Sequence, residues 1–331
     1  MPKAGEDAAP AEELRDAVPG EAVPLMTTED LRTALLGEAQ LCLFLDYDGT
    51  LAPIVDQPEL AFISDECRAT LQSVAATCPV ALVSGRSNDK LRAFVQLDGL
   101  YLAGSHGVHI VGPYGAPVDG PDPEAMLGVD ALAALDAART ELDDELGSIP
   151  GYLTENNVYC ITAHYRMVAP SEHERVRDAV LAVLARYPVL CHKEGKMVHE
   201  LRPSIAWDKG KAVEWLLAML KKAQADGAAG ASSSDAAADE PSCPPPALPL
   251  LPVYLGDDVA DEDAFRAVAA AGGIGIKVAD APLPRRATAA TWYVPQTQVV
   301  DLLASCVLEA SPAKTATATA LPLASAPASA G

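Results

Sequence analysis

Asp46-Tyr47-Asp48-Gly49-Thr50 sets two carboxylates two positions apart, followed by a glycine that lets the chain turn closely about a ligand. One carboxylate of such a pair can attack phosphorus and form an aspartyl-phosphate. The other can protonate the departing alcohol and later activate water. Asp46 suits the first role and Asp48 the second. An anion attacking a phosphate dianion needs positive charge, and three further motifs can supply or hold it. Gly256-Asp257-Asp258 offers hard oxygen ligands suited to magnesium. Ser84-Gly85-Arg86 offers a hydroxyl and helix-start amides to a phosphate. Lys209, in WDKGK, offers a compact ammonium at another helix start.

These motifs need a scaffold that brings four distant loops together. Buried strands are expected at 41–46, 80–84, 100–104 and 253–258, each ending in polar residues. Helical patterns follow at 64–77, 88–96, 209–222 and 262–271. Such alternation predicts an α/β protein with a mostly parallel, Rossmann-like sheet, whose ligand crevice lies beyond the carboxyl ends of the strands. Between about 113 and 203 the pattern changes to a long acidic helix (123–147), strands at 151–155 and 158–166, a helix at 171–187, and strands at 189–193 and 197–202. This predicts a separate α+β unit inserted as a cap over the crevice. The core is therefore expected at 29–112 and 204–310.

The chain has 331 residues, half of them hydrophobic, enough for a substantial core. Its 24 Lys+Arg against 46 Asp+Glu give a formal charge of −22, which argues against nucleic acid and anionic membrane as partners. No apolar run approaches the ~18 residues needed to span a bilayer. The acidic first 30 residues match neither a transit peptide nor a signal peptide, so a cytoplasmic protein is expected; the enzyme is also expected to be a monomer. Residues 1–28, 223–252 and 311–331 are rich in Ala, Ser, Pro and Gly and are expected to be unstructured. Ser232, Ser233 and Ser234 are accessible phosphorylation candidates by composition.

Alone, each motif is an ordinary turn or helix start. Together, in this order, they resemble those of the haloacid dehalogenase superfamily of phosphohydrolases. The resemblance narrows through LDYDGTLAPIV, SGR, GSHGV, TENN with HYR, HELRP, WDKGKAVEWLL and GDDVADEDAF. Over roughly 43–300 these are similar to the trehalose-6-phosphate phosphatase family in its stand-alone form, without a synthase domain. It implies Asp46 as nucleophile, Asp48 as acid/base, Ser84 and Lys209 on the phosphate, and Mg2+ held by Asp257, Asp46 and the backbone of Asp48, with Asp258 and Asp261 as supporting acids. It also implies sugar contacts from Glu155, Arg166, Glu200 and Arg202 in the cap, and a crevice-facing His106. The family usually has threonine at Ala260, and a lysine nearer Glu200 than Lys196, at the position of Val198. A phosphatase of another sugar phosphate, such as sucrose 6-phosphate, would share the core. A catalytically silent trehalose 6-phosphate sensor could dispense with Asp46 or Asp48, yet this chain keeps both.

Other features read more simply. His106 and His109 lack the further ligands of a zinc site. The glycines of AGGIGIKV lack dinucleotide-loop spacing, and Trp207 and Trp215 are expected in the core. The seven cysteines have no paired spacing and are expected to be reduced and mostly buried, Cys42 included.

Overall fold

The structure, a computed structural model, describes residues 22–35, 39–118, 122–231 and 248–308. A seven-stranded sheet organises the larger unit. Its strands are β1 (Gln40–Leu45), β2 (Val80–Val83), β3 (Tyr101–Gly104), β4 (His109–Val111), β9 (Leu250–Gly256), β10 (Ile274–Val278) and β11 (Trp292–Val294). Their order is β11-β10-β9-β1-β2-β3-β4, all parallel except for β4, which runs antiparallel to β3. The chain leaves β1 toward β2 on one side and β9 toward β10 on the other, so the sheet has a topological switch point between β1 and β9.

Strand periodicity decides which helices cover which face. Leu43 and Leu45 point to one side of the sheet. There α1 (Thr28–Leu35), α2 (Asp65–Ala75), α3 (Asn88–Val95) and α9 (Val299–Leu308) bury residues such as Leu31, Leu71, Leu91 and Leu302. Cys42 and Phe44 point to the other side, against Leu216 and Leu217 of α7 (Lys209–Ala231) and Phe265 of α8 (Glu262–Ala270). Each such fully buried side chain stabilises the fold by about 1.5–3 kcal/mol relative to an exposed one.

Between β4 and α7 the chain builds a second unit. Four antiparallel strands, β5 (Leu153–Asn156), β6 (Ile161–His164), β7 (Leu190–Gly195) and β8 (Val198–Pro203), are ordered β5-β6-β8-β7. Helices α5 (Val129–Leu146) and α6 (His173–Leu184) cover one face around Leu142, Ile161, Val180 and Leu201. The single helix expected at 123–147 is two. A short α4 (Pro123–Leu127) ends at Gly128, whose φ of +77° breaks the helical path before α5 begins.

The expected unstructured stretches are shorter than composition suggested. Residues 22–28 are packed: Val23 donates from its N–H to Leu283 O at 2.8 Å and Met26 to Tyr293 O at 2.8 Å, with Val23 and Met26 buried. The edge strand β11 needs these backbone partners, which a composition window cannot register. Helix α7 runs past Lys222 to Ala231, through an alanine-rich stretch of high helix propensity, and β9 begins at Leu250. The rest of the expected N-terminal tail, most of the 223–252 insertion with Ser232, Ser233, Ser234 and Cys243, and the 311–331 tail lie outside the described residues. Six described cysteines are free and five of them buried; burial pushes the Cys42 thiol up to about 12. Among the described residues no helix is long and apolar enough to cross a membrane.

Candidate active site

Of the fourteen residues given a role in the sequence, thirteen line one cavity of about 520 Å3 between the two sheets, and Asp261 is buried just behind its wall. Its floor is the carboxyl edge of β1, β2 and β9, where the polar strand ends meet. Asp46 follows β1 and is buried. Lys209, the first residue of α7 and also buried, sets its Nζ 2.8 Å from Asp46 Oδ1 and 2.7 Å from Asp261 Oδ1. Asp208 fixes that helix start by accepting from the Lys211 N–H at 2.9 Å.

Asp46, Asp257 and Asp261 bring carboxylate oxygens within 4.8 Å of one another. Burial and the charge of Asp261 push the Asp46 carboxyl upward, against the pull of Lys209. Burial likewise raises Asp257, against Lys196. Asp261 is satisfied already: Lys209 and the Tyr254 hydroxyl donate to Oδ1, and the Asp258 N–H donates to Oδ2 at 2.8 Å. Asp257 Oδ1, by contrast, is buried with no hydrogen-bond partner. Gly49 makes room for Asp257: at φ +80° a Cβ there would lie 2.2 Å from Asp257 Oδ2. Crowded carboxylates with one orphaned oxygen are a donor set that fits a hard divalent cation. The side chain of Asp258 is engaged otherwise, as is that of Asp48, whose expected metal contact is through its backbone. Asp258 caps the 259–261 turn, accepting from the Val259 N–H at 2.8 Å, and the Asp48 carboxylate is held by Arg86.

Arg86 donates from Nε and Nη2 to the two Asp48 oxygens at 2.7 and 2.6 Å. The loop carrying it is stitched to the turn after β3: the Ser105 N–H donates to Arg86 O at 2.8 Å and the His106 N–H to Ser84 O at 2.7 Å. This lays the His106 ring over Gly85, where a Cβ would meet Nε2 at 2.9 Å. Ser84 is buried and its Oγ accepts from the Arg86 N–H at 3.2 Å.

The smaller sheet supplies the roof. Glu200 and Arg202, two apart on β8, share a face and are ion-paired, and His106 Nε2 lies 3.2 Å from Glu200 Oε1. Burial alone would raise Glu200, but His106 and Arg202 hold it below the usual carboxylate range. Burial and then the charge of Arg202 push the His106 imidazole down to about 4. His106, Cys160 and Glu200 also have metal-ligand types within 4.8 Å of one another. The guanidinium of Arg202 already neutralises Glu200, so this group serves as a polar wall rather than a second cation site. Glu155 does not pair with Arg166. Its oxygens meet Lys90 Nζ at 2.8 Å and His164 Nε2 at 2.9 Å. Burial opposes this, yet His164 and Lys90 hold the carboxyl down at about 2. Arg166 donates to Lys196 O at 2.7 Å, and Lys196 itself reaches Asp257 from the β7–β8 turn. Ser105, Asn157 and His164 stand within GSHGV, TENN and HYR but were given no role there, and Lys90 was not legible as a site residue because no local signal says that α3 reaches the second unit.

The sheet order, the loops at its carboxyl edge and the inserted α+β unit define a fold of the haloacid dehalogenase class. The described fold is similar to that of the C. albicans trehalose-6-phosphate phosphatase C-terminal domain, with a TM-score of 0.67 and 21% identity over 86% of this chain and 98% of that one. The trehalose-phosphatase pattern matches residues 44–298, and the chain belongs to the trehalose-phosphatase family. It is 38% identical over 264 residues to the probable trehalose-phosphate phosphatase D of Arabidopsis thaliana, across 78% of this chain and 65% of that protein. It is also 38% identical to trehalose-phosphate phosphatase B of the same plant, across 73% of this chain and 60% of that one. The chain thus spans under two thirds of the length of these two relatives.

Proposed function

We propose that the chain is a magnesium-dependent phosphatase that hydrolyses trehalose 6-phosphate to trehalose and inorganic phosphate through an aspartyl-phosphate. The observation that carries this reading is the placement of Asp46, 2.8 Å from Lys209, on a cavity floor roofed by the Glu200–Arg202 pair and Glu155. Asp46 attacks the phosphorus as the bond to the sugar oxygen breaks, and Asp48 gives that oxygen its proton. Asp48 then takes a proton from water, whose oxygen attacks the same phosphorus. Phosphate leaves and the Asp46 carboxylate is restored. Lys209, Ser84 and the amides around Gly85 and Arg86 hold the phosphoryl oxygens. Asp46 and Asp257, with the chain at Asp48, would hold magnesium, which supplies charge neutralisation for the transferring group. In the roof, carboxylates can accept from sugar hydroxyls, Arg202 can donate to them and His106 can donate or accept, and the enclosing cap excludes bulk water.

Phosphate release from trehalose 6-phosphate, sucrose 6-phosphate, glucose 6-phosphate and p-nitrophenyl phosphate, with and without magnesium, tests the reading. Magnesium-dependent preference for trehalose 6-phosphate is expected. Preference for another sugar phosphate would retain the chemistry and overturn the roof assignment. Tight binding of trehalose 6-phosphate without turnover would make the protein a sensor.

A further inference from the structure

The smaller sheet unit is tied to the larger one by Lys90, a residue to which the proposed chemistry gives no role. Lys90 lies in the first turn of α3, three residues after Ser87, which caps that helix. Its ammonium crosses to the other unit and donates to Glu155 Oε1 at 2.8 Å, Asn156 O at 2.7 Å and Asn157 Oδ1 at 2.9 Å. An ammonium has three N–H donors, and all three are engaged by three consecutive residues at the end of β5 and the start of its connection to β6. A second core residue grips the same segment: Ser105 Oγ donates to Asn157 O. Asn157 is buried and donates onward from Nδ2 to Thr162 Oγ1 at 3.3 Å.

We propose that Lys90 is a positioning residue, a core-borne clasp that holds Glu155 in the orientation needed to meet the sugar. This rests on the phosphatase reading above. An exposed lysine ion pair is ordinarily worth little, but here the partner carboxylate is mostly buried and two of the three acceptors are uncharged oxygens that set direction as well as charge. Glu155 is gripped from both units, by Lys90 on one oxygen and by His164 on the other. It also lies 3.9 Å from Arg86 Nη1, the guanidinium that holds Asp48. Ion pairing at a free surface would reach only the carboxylate; the three-point pattern fixes a backbone carbonyl and a buried amide as well.

The test is Lys90→Met, with Lys90→Arg as the conservative rescue and Lys90→Gln for use if methionine prevents folding. KM for trehalose 6-phosphate should rise about tenfold, the scale between an exposed ion pair and a buried one. Turnover of p-nitrophenyl phosphate, which has no sugar for Glu155 to meet, should change by less than about twofold, and arginine should restore part of the loss. Hydrogen exchange at the amides of Asn157, Val158 and Tyr159, each of which donates within this loop, should quicken about tenfold or more in the methionine variant. Equal losses on both substrates, or an unchanged KM with unchanged exchange, would overturn the clasp. If the wild type prefers another sugar phosphate, the substrate reading fails and the KM comparison is made on that compound. If it hydrolyses none, the exchange rates decide alone, and unchanged exchange refutes the proposal.

Discussion

Arg86 grips both oxygens of Asp48 at once, Nε to Oδ2 at 2.7 Å and Nη2 to Oδ1 at 2.6 Å, while its guanidinium carbon lies 4.8 Å from the centre of the Phe94 ring. The planar fork fixes the direction in which Asp48 faces the cavity, and the aromatic ring supports the fork from behind. Lysine can give charge but neither the fork nor the stacking. Arg86→Lys should lower kcat for trehalose 6-phosphate roughly 100-fold, the cost of misplacing a reacting group by about an ångström. Steady-state kinetics with a thermal melt checks this. A variant within threefold of wild type would show that Asp48 is oriented by something else.

Asp46→Asn removes the proposed nucleophile while keeping its shape. Turnover should fall by roughly three orders of magnitude or more. The fold should persist, since one of three crowded carboxylates becomes neutral, although Lys209 keeps only Asp261 as its charged partner. Phosphate release and circular dichroism on the same preparation give the answer. Near-normal activity would refute the aspartyl-phosphate mechanism.

The orphaned Oδ1 of Asp257 gives a direct readout of metal binding. Chelation should abolish phosphate release and added magnesium should restore it. Asp257→Asn should weaken magnesium binding by at least about tenfold, measured by titration calorimetry without substrate. Unchanged magnesium affinity would move the cation site elsewhere.

His106 should leave a mark on acid stability. Its folded pKa of about 4 lies below the ordinary 6.5, so between those values the unfolded chain binds more protons than the folded one. The stability this site contributes is complete above about pH 6.5 and is lost as pH falls toward 4. The loss amounts to about 3 kcal/mol at about 1.4 kcal/mol per pH unit. His106→Gln, which cannot charge, should flatten the urea-stability profile over that window relative to wild type. His109 and His199, also pushed down, chiefly by burial, contribute equally to both proteins and cancel. Parallel profiles would show that His106 titrates normally.

Much of the core could be read before any coordinates because its signals are local. The runs at 41–46 and 80–84 are apolar and end in polar residues, so the positions of Asp46 and Ser84 followed from strand length alone. Asp257 followed in the same way from the run at 253–258, although β9 itself begins earlier, at Leu250. Local readings failed where a segment's partner is remote in sequence. Residues 22–28 look unstructured until β11 supplies a partner for their backbone. The break at Gly128 is invisible to a count of helix formers in a mostly favourable run.

By itself the sequence determined the residue types and the strand ends that carry the phosphate chemistry, because strand periodicity and turn glycines act over a few residues. Only the tertiary structure decided which charge answers which. It gave Lys90 rather than Arg166 to Glu155, set Arg86 on Asp48, turned Asp258 into a cap and brought Asp261 to Lys209. Such pairings depend on distances across 38 to 65 positions of chain: Arg86–Asp48 exists only once β1 and β2 pair side by side, and Lys90–Glu155 only once the two sheets have packed. A hydrogen bond forms only at about 3 Å, and which residues distant in sequence reach that separation is set by chain packing and not by any local pattern.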